Sequence, residues 1–170
     1  MRRTPLLLVA VALLSINCAR TEFVARVVDG DTIELSSGEK VRYIGVDTPE
    51  TVHPRKRVQF MGAEASAFNR QLVERKRVRL EYDVARRDRY GRTLAYVYVG
   101  RTFVNAELVR RGYAQVMTVP PNVRHADLFV ALQREAREAN RGLWEPDAAE
   151  EWDSKTVGKR GTPDPPKNTP

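Results

Sequence analysis

The hydrophobic pattern in the first half of the chain predicts three short β-strands. Residues 23–28 are β-branched and aromatic, and the Asp29-Gly30 pair that follows is typical of a two-residue hairpin turn. The pattern returns in Asp31–Leu35 and, after the polar turn of residues 36–39, in Val41–Val46. These three strands are expected to form an antiparallel meander.

Helical and strand patterns alternate after this meander. Apolar residues recur at helical spacing over Gly62–Glu74, which predicts a helix. Arg77–Tyr82 alternates strictly between polar and apolar residues, as a half-buried strand does, and Thr93–Val99 predicts a fifth strand.

Two further helices are predicted near the end of the folded region. We place Asn105 at the N-cap of a short helix that Gly112 ends, and a last helix with Phe129 on its apolar face is ended by Gly142. Five short strands with helices between and after them suit a small closed barrel. We therefore expect an α+β fold that is mainly β, namely a five-stranded OB-fold barrel with three helices.

The first 19 residues have the pattern of a secretory signal peptide. Arg2 and Arg3 precede the uninterrupted apolar stretch Leu6–Leu14, and polar residues follow it. A membrane span needs about 20 apolar residues, so this stretch is short for a transmembrane anchor, which is the alternative interpretation. The protein is therefore expected to be secreted or periplasmic.

Cys18 leaves two further outcomes open at the end of this segment. A lipoprotein signal places a small residue before the lipidated cysteine, whereas Asn17 stands there in this chain. The alternatives are a lipid anchor at Cys18, which makes the protein a membrane-anchored lipoprotein, and cleavage near Ala19.

The other end of the chain is rich in proline and poor in apolar residues. Residues 147–170 cannot bury enough surface to offset the entropy of ordering them, so we predict a flexible tail. The folded domain is expected to span residues 21–146.

The net charge of the chain indicates which class of partner it binds. The chain has 29 Lys and Arg against 22 Asp and Glu, a formal charge of +7 and a pI of about 9.8, which favours a polyanion. Nucleic acid is the first expectation and an anionic membrane the second. One cysteine and two histidines exclude a disulfide framework and a Cys/His zinc cluster. A monomer without a stable protein partner is expected.

Three carboxylates fall at the ends of neighbouring predicted strands. Asp31 begins the second strand, and Asp47 and Glu50 leave the third. Oxygen donors of this kind suit a hard cation such as Ca²⁺. Ordinary turns that bind nothing are the alternative, and spacing alone does not decide between them.

Two arginines accompany these carboxylates. Arg42 lies in an otherwise apolar strand, where it either forms a structural salt bridge or holds an anion, and Arg92 ends the charged connection Asp88–Arg92. Opposite a cation, a pair of arginines fits phosphodiester hydrolysis, because guanidinium donors stabilise the charge that builds up on the phosphorus oxygens.

Five motifs occur in an order that resembles the staphylococcal nuclease (thermonuclease) family. They are Asp29-Gly30-Asp31-Thr32 with Arg42, Val46-Asp47-Thr48-Pro49-Glu50, Glu64-Ala65-Ser66-Ala67-Phe68, Asp88-Arg89-Tyr90-Gly91-Arg92 with Leu94-Ala95-Tyr96, and Asn105 with Leu108-Val109. The resemblance covers residues 23–144. It implies an OB barrel with three helices, dependence on Ca²⁺, and cleavage of DNA and RNA to products with a 3′-phosphate.

The resemblance also implies roles at matching positions. Asp31, Asp47 and the backbone carbonyl of Thr48 resemble the calcium ligands, and Glu50 resembles the residue that orients or deprotonates the attacking water. Arg42 and Arg92 resemble the catalytic phosphate clamps.

Substrate contacts are expected on two segments. Tyr90 matches a tyrosine that contacts the nucleotide, with Arg89 beside it, and Arg55 and Lys56 lie in a basic loop that either grips flanking phosphates or is merely solvated. The family's second nucleotide-contacting tyrosine falls near Thr118, which affects nucleotide affinity and base preference. A noncatalytic nucleic-acid-binding OB module is the alternative function.

Overall fold

The computed structural model describes residues 21–49 and 60–146. The strands in these ranges are β1 (Thr21–Asp29), β2 (Thr32–Leu35), β3 (Lys40–Tyr43), β4 (Gly45–Asp47), β5 (Arg77–Glu81), β6 (Thr93–Val99), β7 (Thr102–Phe103) and β8 (Gln115–Met117). The helices are α1 (Gly62–Val73), α2 (Val104–Arg110) and α3 (Ala126–Glu138), followed by a 3-10 turn at Gly142–Trp144. The predicted signal segment and the predicted tail lie outside the described residues.

Five of the strands form a barrel. Their order is β3-β2-β1-β5-β6, with antiparallel neighbours, and a parallel pairing of β3 with β6 closes the ring from Val41 opposite Thr93 to Tyr43 opposite Ala95. With the three helices this confirms the predicted five-stranded OB barrel and the mainly β, α+β fold class.

The core fills the barrel and the space between barrel and helices. β-Branched residues dominate the barrel interior, and Phe129 of α3 and Leu108 of α2 pack against it. Tyr43 and Tyr96 are also fully buried, and each places its hydroxyl against a polar partner, as buried tyrosines do. The helices therefore share one hydrophobic core with the barrel.

The third predicted strand is broken in two. Ile44 separates β3 from β4, and Gly45 takes the left-handed conformation with φ of 80°. A Cβ at Gly45 would also lie 2.5 Å from the Phe129 ring, so both the backbone conformation and the lack of space require glycine here. The break turns β4 away from the barrel to pair with β8.

Asn105 is not the N-cap that its position predicts. Helix α2 begins at Val104, and Asn105 is buried within its first turn. Its amide donates to the Ile44 carbonyl and accepts from the Val97 N–H, both at 2.9 Å. Asn105 thus satisfies the backbone at the break between β3 and β4.

No helix in the ranges 21–49 and 60–146 is long and apolar enough to cross a bilayer.

Candidate active site

Arg42 lies between two of the predicted metal ligands. Its Nη2 atom is 3.2 Å from Asp31 Oδ2 and 2.7 Å from Asp47 Oδ1. Its Nη1 atom donates to the carbonyls of Tyr43 and Val46, so the guanidinium is buried and fixed in one orientation. Two carboxylates, one from the β1–β2 turn and one from the end of β4, therefore converge on one cationic nitrogen.

Asp31 is the buried member of the pair, with 5% of its surface exposed. Thr48 donates to its Oδ2 from the backbone N–H at 2.9 Å and from the hydroxyl at 3.0 Å, and Thr32 donates to its Oδ1. Burial raises the pKa of Asp31 above the ordinary range, although Arg42 and the Thr48 N–H oppose this shift. The charged carboxylate is thus held in a place that favours its neutral form.

Gly30 makes the approach of Thr48 to Asp31 possible. A Cβ at Gly30 would lie 2.6 Å from Thr48 Oγ1, which is closer than two such atoms can pack. The β1–β2 turn therefore needs glycine because another strand end lies against it, and the hydrogen bonds from Thr48 to Asp31 depend on this contact.

A buried chain of hydrogen bonds fixes the same turn from its other side. The Tyr43 hydroxyl donates to Asn69 Oδ1 at 2.9 Å, and the Asn69 amide donates to the Asp29 carbonyl at 3.2 Å. The Tyr43 backbone N–H also donates to the Asp31 carbonyl at 2.9 Å. Tyr43 therefore holds the turn directly and through α1. Sequence reasoning gave Tyr43 and Asn69 no role, although a polar Asn four residues after Ala65 on the buried face of a helix was a usable signal.

Asp88 holds the second arginine. Its Oδ2 accepts from Arg92 Nε at 2.7 Å, while its Oδ1 accepts from the backbone N–H groups of Tyr90 and Arg92. Burial raises the pKa of Asp88, but the donors from Arg92 and Tyr90 outweigh it, so the net pKa is lowered. Asp88 lies within the Asp88–Arg92 motif, but no local pattern in the chain indicates this positioning role.

Tyr90 presents an exposed ring close to two cations, with 68% of its surface accessible. Arg89 donates to its hydroxyl at 2.6 Å, and the guanidinium carbons of Arg89 and Arg92 lie 4.8 and 5.6 Å from the ring centre. An accessible aromatic ring with two positive charges close by suits a nucleotide.

These groups share one cleft of about 930 Å³. Six of the predicted site residues line it: Asp31, Arg42, Asp47, Arg89, Tyr90 and Arg92. The lining also contains Met117, Val119, Pro120 and Pro121, all of which are exposed. Thr118, at the expected tyrosine position, is exposed and is not part of this lining. This part of the cleft lining is therefore apolar and not aromatic.

The remaining predicted site residues are not in this lining. Thr48 is buried against Asp31. Glu50, Arg55 and Lys56 lie outside the described residues. Within the described ranges, no three His, Cys, Asp or Glu side chains form a metal-holding group.

The donor set nevertheless fits a hard cation. Asp31 and Asp47 already converge on one positive group, Arg42 Nη2, and both supply only oxygen. Ca²⁺ accepts carboxylates, carbonyls and water in flexible geometry, whereas softer metals prefer nitrogen or sulfur donors.

The fold and the cleft define a class: a small OB barrel whose cleft is lined by paired carboxylates, arginines and an exposed tyrosine. Residues 40–146 match the family model described as staphylococcal nuclease homologue. The chain is 46% identical over 125 residues to the thermonuclease of Staphylococcus intermedius, covering 72% of this chain and 74% of that protein.

Two other relatives agree with this match. The thermonuclease of Staphylococcus hyicus is 42% identical, covering 74% of this chain and 76% of that protein. Endonuclease YncB of Bacillus subtilis (strain 168) is 44% identical, covering 70% of this chain and 59% of that protein. The chain belongs to the staphylococcal nuclease family, as the motifs predicted.

Proposed function

We propose that this protein is a Ca²⁺-dependent nuclease that hydrolyses phosphodiester bonds of DNA and RNA with little sequence specificity and leaves 3′-phosphate ends. One observation carries the proposal. Asp31 and Asp47 converge on Arg42 in the same cleft that Arg92 and Tyr90 line. Nuclease relatives at 42–46% identity support the reaction class.

Asp31, Asp47 and the Thr48 carbonyl are the proposed cation ligands. A bound divalent cation supplies charge neutralisation and polarises the phosphate and the attacking water. Asp31 is preorganised for this task, because Thr48 and Thr32 fix both of its oxygens before any cation arrives.

Arg42 and Arg92 are the proposed phosphate clamps. Asp88 holds Nε of Arg92, and no other described residue forms a side-chain hydrogen bond to this guanidinium, so its terminal nitrogens are available to phosphoryl oxygens. Arg42 keeps its two carbonyl contacts while its Nη2 faces the carboxylates. Such fixed donors stabilise charge that develops only in the transition state.

Glu50 is proposed to orient or deprotonate the attacking water. An ordinary Glu has a pKa of about 4.3, so it is ionised but a feeble base near neutral pH. A bound cation would therefore have to polarise the water as well, and this division of labour predicts activity that rises toward alkaline pH. The proposed localisation is secreted or periplasmic, or membrane-anchored through Cys18, on the pattern of residues 1–19.

A cleavage assay with a binding control tests this proposal. Protein from residue 20 onward is incubated with DNA or RNA in Ca²⁺, in chelator, and in Zn²⁺. Cleavage is expected in Ca²⁺ alone, with 3′-phosphate ends detected by mass spectrometry. Binding without cleavage in Ca²⁺ would instead indicate the noncatalytic OB module, and full activity in chelator with trace metals excluded would overturn the metal assignment.

A further inference from the structure

A second groove lies beside the cleft, between the β2–β3 turn and the connection of residues 86–92. It encloses about 610 Å³, and its walls include Lys40, Arg87, Tyr90 and Arg92. The same four residues also line the cleft. The groove and the cleft are therefore continuous.

The two segments that form this groove are strongly basic. Residues 37–40 and 86–92 contain five Lys or Arg and two Asp or Glu. The exposed Lys40 ammonium has no hydrogen-bond or ion-pair partner among the described residues. The groove therefore offers positive charge to an anionic ligand.

Arg87 is held in place within this groove. Its Nη1 donates to the Gly91 carbonyl at 2.9 Å, and its Nη2 lies 3.2 Å from a Glu39 oxygen. Glu39 also accepts a hydrogen bond from the Thr93 hydroxyl. These contacts join the two segments and occupy Glu39, the acidic residue in the groove lining, with internal partners.

We propose that this groove binds the phosphodiester backbone of a single nucleic-acid strand beyond the nucleotide that occupies the cleft. The proposal rests on the proposed function. A strand leaving the cleft past Tyr90 meets Lys40 and Arg87 where its following phosphates lie, and such contacts are electrostatic and independent of sequence. The groove is thus an extended subsite that favours long substrates over short ones.

Substrate length provides the test. The wild type and the variants Lys40→Gln, Arg87→Gln and the double variant are assayed on a dinucleotide, which spans the cleft alone, and on a 20-nucleotide single strand. Arg101→Gln is the matched control, since Arg101 is exposed and lines neither cavity. Arg87→Lys keeps the positive charge and tests whether charge alone is enough to bind the 20-mer as the wild type does.

For the 20-mer, the double variant is expected to raise KM about fivefold or more. Each lost phosphate contact is also expected to flatten the slope of log KM against log salt concentration by about 0.7. Because Lys40 and Arg87 also line the cleft, KM for the dinucleotide is expected to rise as well, but by clearly less than KM for the 20-mer. An equal effect on both substrates, or no effect on the 20-mer, overturns the subsite.

Direct binding separates this proposal from the proposed function. Fluorescence anisotropy of a labelled 20-mer is measured for the same variants in chelator, where no cleavage is expected. If the wild type cleaves neither substrate but the double variant still binds the 20-mer more weakly, the nuclease proposal fails and the groove stands. If the wild type cleaves both substrates and the double variant binds the 20-mer as tightly as the wild type, the subsite proposal fails and the nuclease proposal stands.

Discussion

Arg42 donates from one nitrogen to Asp47 across 2.7 Å while the same nitrogen contacts the buried Asp31. A proposed catalytic arginine thus also compensates the charge of two proposed metal ligands. Removing one partner of a buried ion pair leaves the other charge uncompensated, at a cost of about 3–5 kcal/mol.

Arg42→Ala is therefore expected to lose activity by orders of magnitude and to destabilise the metal-free protein by about 3 kcal/mol or more. Because Ca²⁺ then replaces the lost positive charge, the increase in melting temperature on adding Ca²⁺ is expected to exceed that of the wild type. Thermal melts with and without Ca²⁺ measure this. Arg26→Ala, which removes an exposed pair with Glu34, is the control and is expected to cost less than about 1 kcal/mol. Equal Ca²⁺ shifts in Arg42→Ala and wild type would contradict the prediction.

Asp31→Asn is expected to raise the melting temperature of the metal-free protein and abolish activity. Burial raises the pKa of Asp31, so folding favours a neutral side chain here. Arg42 is not left uncompensated by this substitution, because it keeps its pair with Asp47 and its two carbonyl contacts, and Asn keeps an oxygen for the Thr48 donors. Ca²⁺ is expected to stabilise the wild type, by about 2.7 kcal/mol at a hundredfold excess over Kd, and not the variant. A variant that melts lower than wild type in chelator would show that Asp31 is not a strained carboxylate.

Asp88→Asn is expected to lower kcat by about tenfold to a hundredfold by releasing Arg92 from its 2.7 Å hydrogen bond. Asp83→Asn is a matched control, because Asp83 also accepts side-chain and backbone hydrogen bonds, from Tyr96 and Arg124. Both variants lose stability, but only Asp88→Asn is expected to lose kcat at a temperature where both are folded. Equal kcat values in the two variants would remove the positioning role.

Tyr43→Phe removes the hydroxyl that donates to Asn69 and leaves Asn69 Oδ1 without that donor. The substitution is expected to lower the free energy of unfolding by about 1–3 kcal/mol. The β1–β2 turn loses part of its support, so Ca²⁺ affinity is also expected to fall, measured by calorimetric titration. Tyr96→Phe removes a comparable buried hydroxyl that donates to Asp83. This control is expected to lose stability while keeping Ca²⁺ affinity, and a similar loss of affinity in both variants would refute the prediction.

The lowered pKa of Glu81 predicts how the free energy of unfolding depends on pH. Burial raises its pKa, but hydrogen bonds from His125 and Arg124 outweigh burial and lower the net value. A carboxylate with a lowered folded pKa stabilises the protein above its unfolded pKa of about 4.3, and this contribution is lost as pH falls through the folded value. Glu81→Gln is expected to flatten the fall in unfolding free energy below about pH 4.5. Urea titrations from pH 7 to 3 measure it, and parallel curves for both proteins would contradict it.

The barrel could be predicted from the chain because strand alternation and turn residues are local. The break at Ile44 could not, since Val41–Val46 reads as one apolar strand. It depends on Asn105, which lies 61 residues away and supplies the hydrogen bond at the break. Asn105 was placed at a helix N-cap because its side-chain chemistry suits a cap, and its tertiary partners override that local preference.

In the candidate site, too, local motifs could be predicted from the sequence and contacts between distant residues could not. Asp31, Asp47, Arg42 and Arg92 were identified because they occur in recognisable motifs at strand ends. Their supports were not identified, because the Tyr43–Asn69 and Asn69–Asp29 hydrogen bonds join positions 26 and 40 residues apart. No periodicity in a single sequence reports such pairings.

The parallel seam between β3 and β6 places Arg42 opposite Leu94, two residues from Arg92. The two proposed phosphate clamps are 50 positions apart in the chain and come together through this closure. The two arginines are therefore brought together only when β6 has been synthesised and has paired with β3. A chain truncated before β6 is expected to lack the paired clamps and, with them, the nuclease activity proposed above.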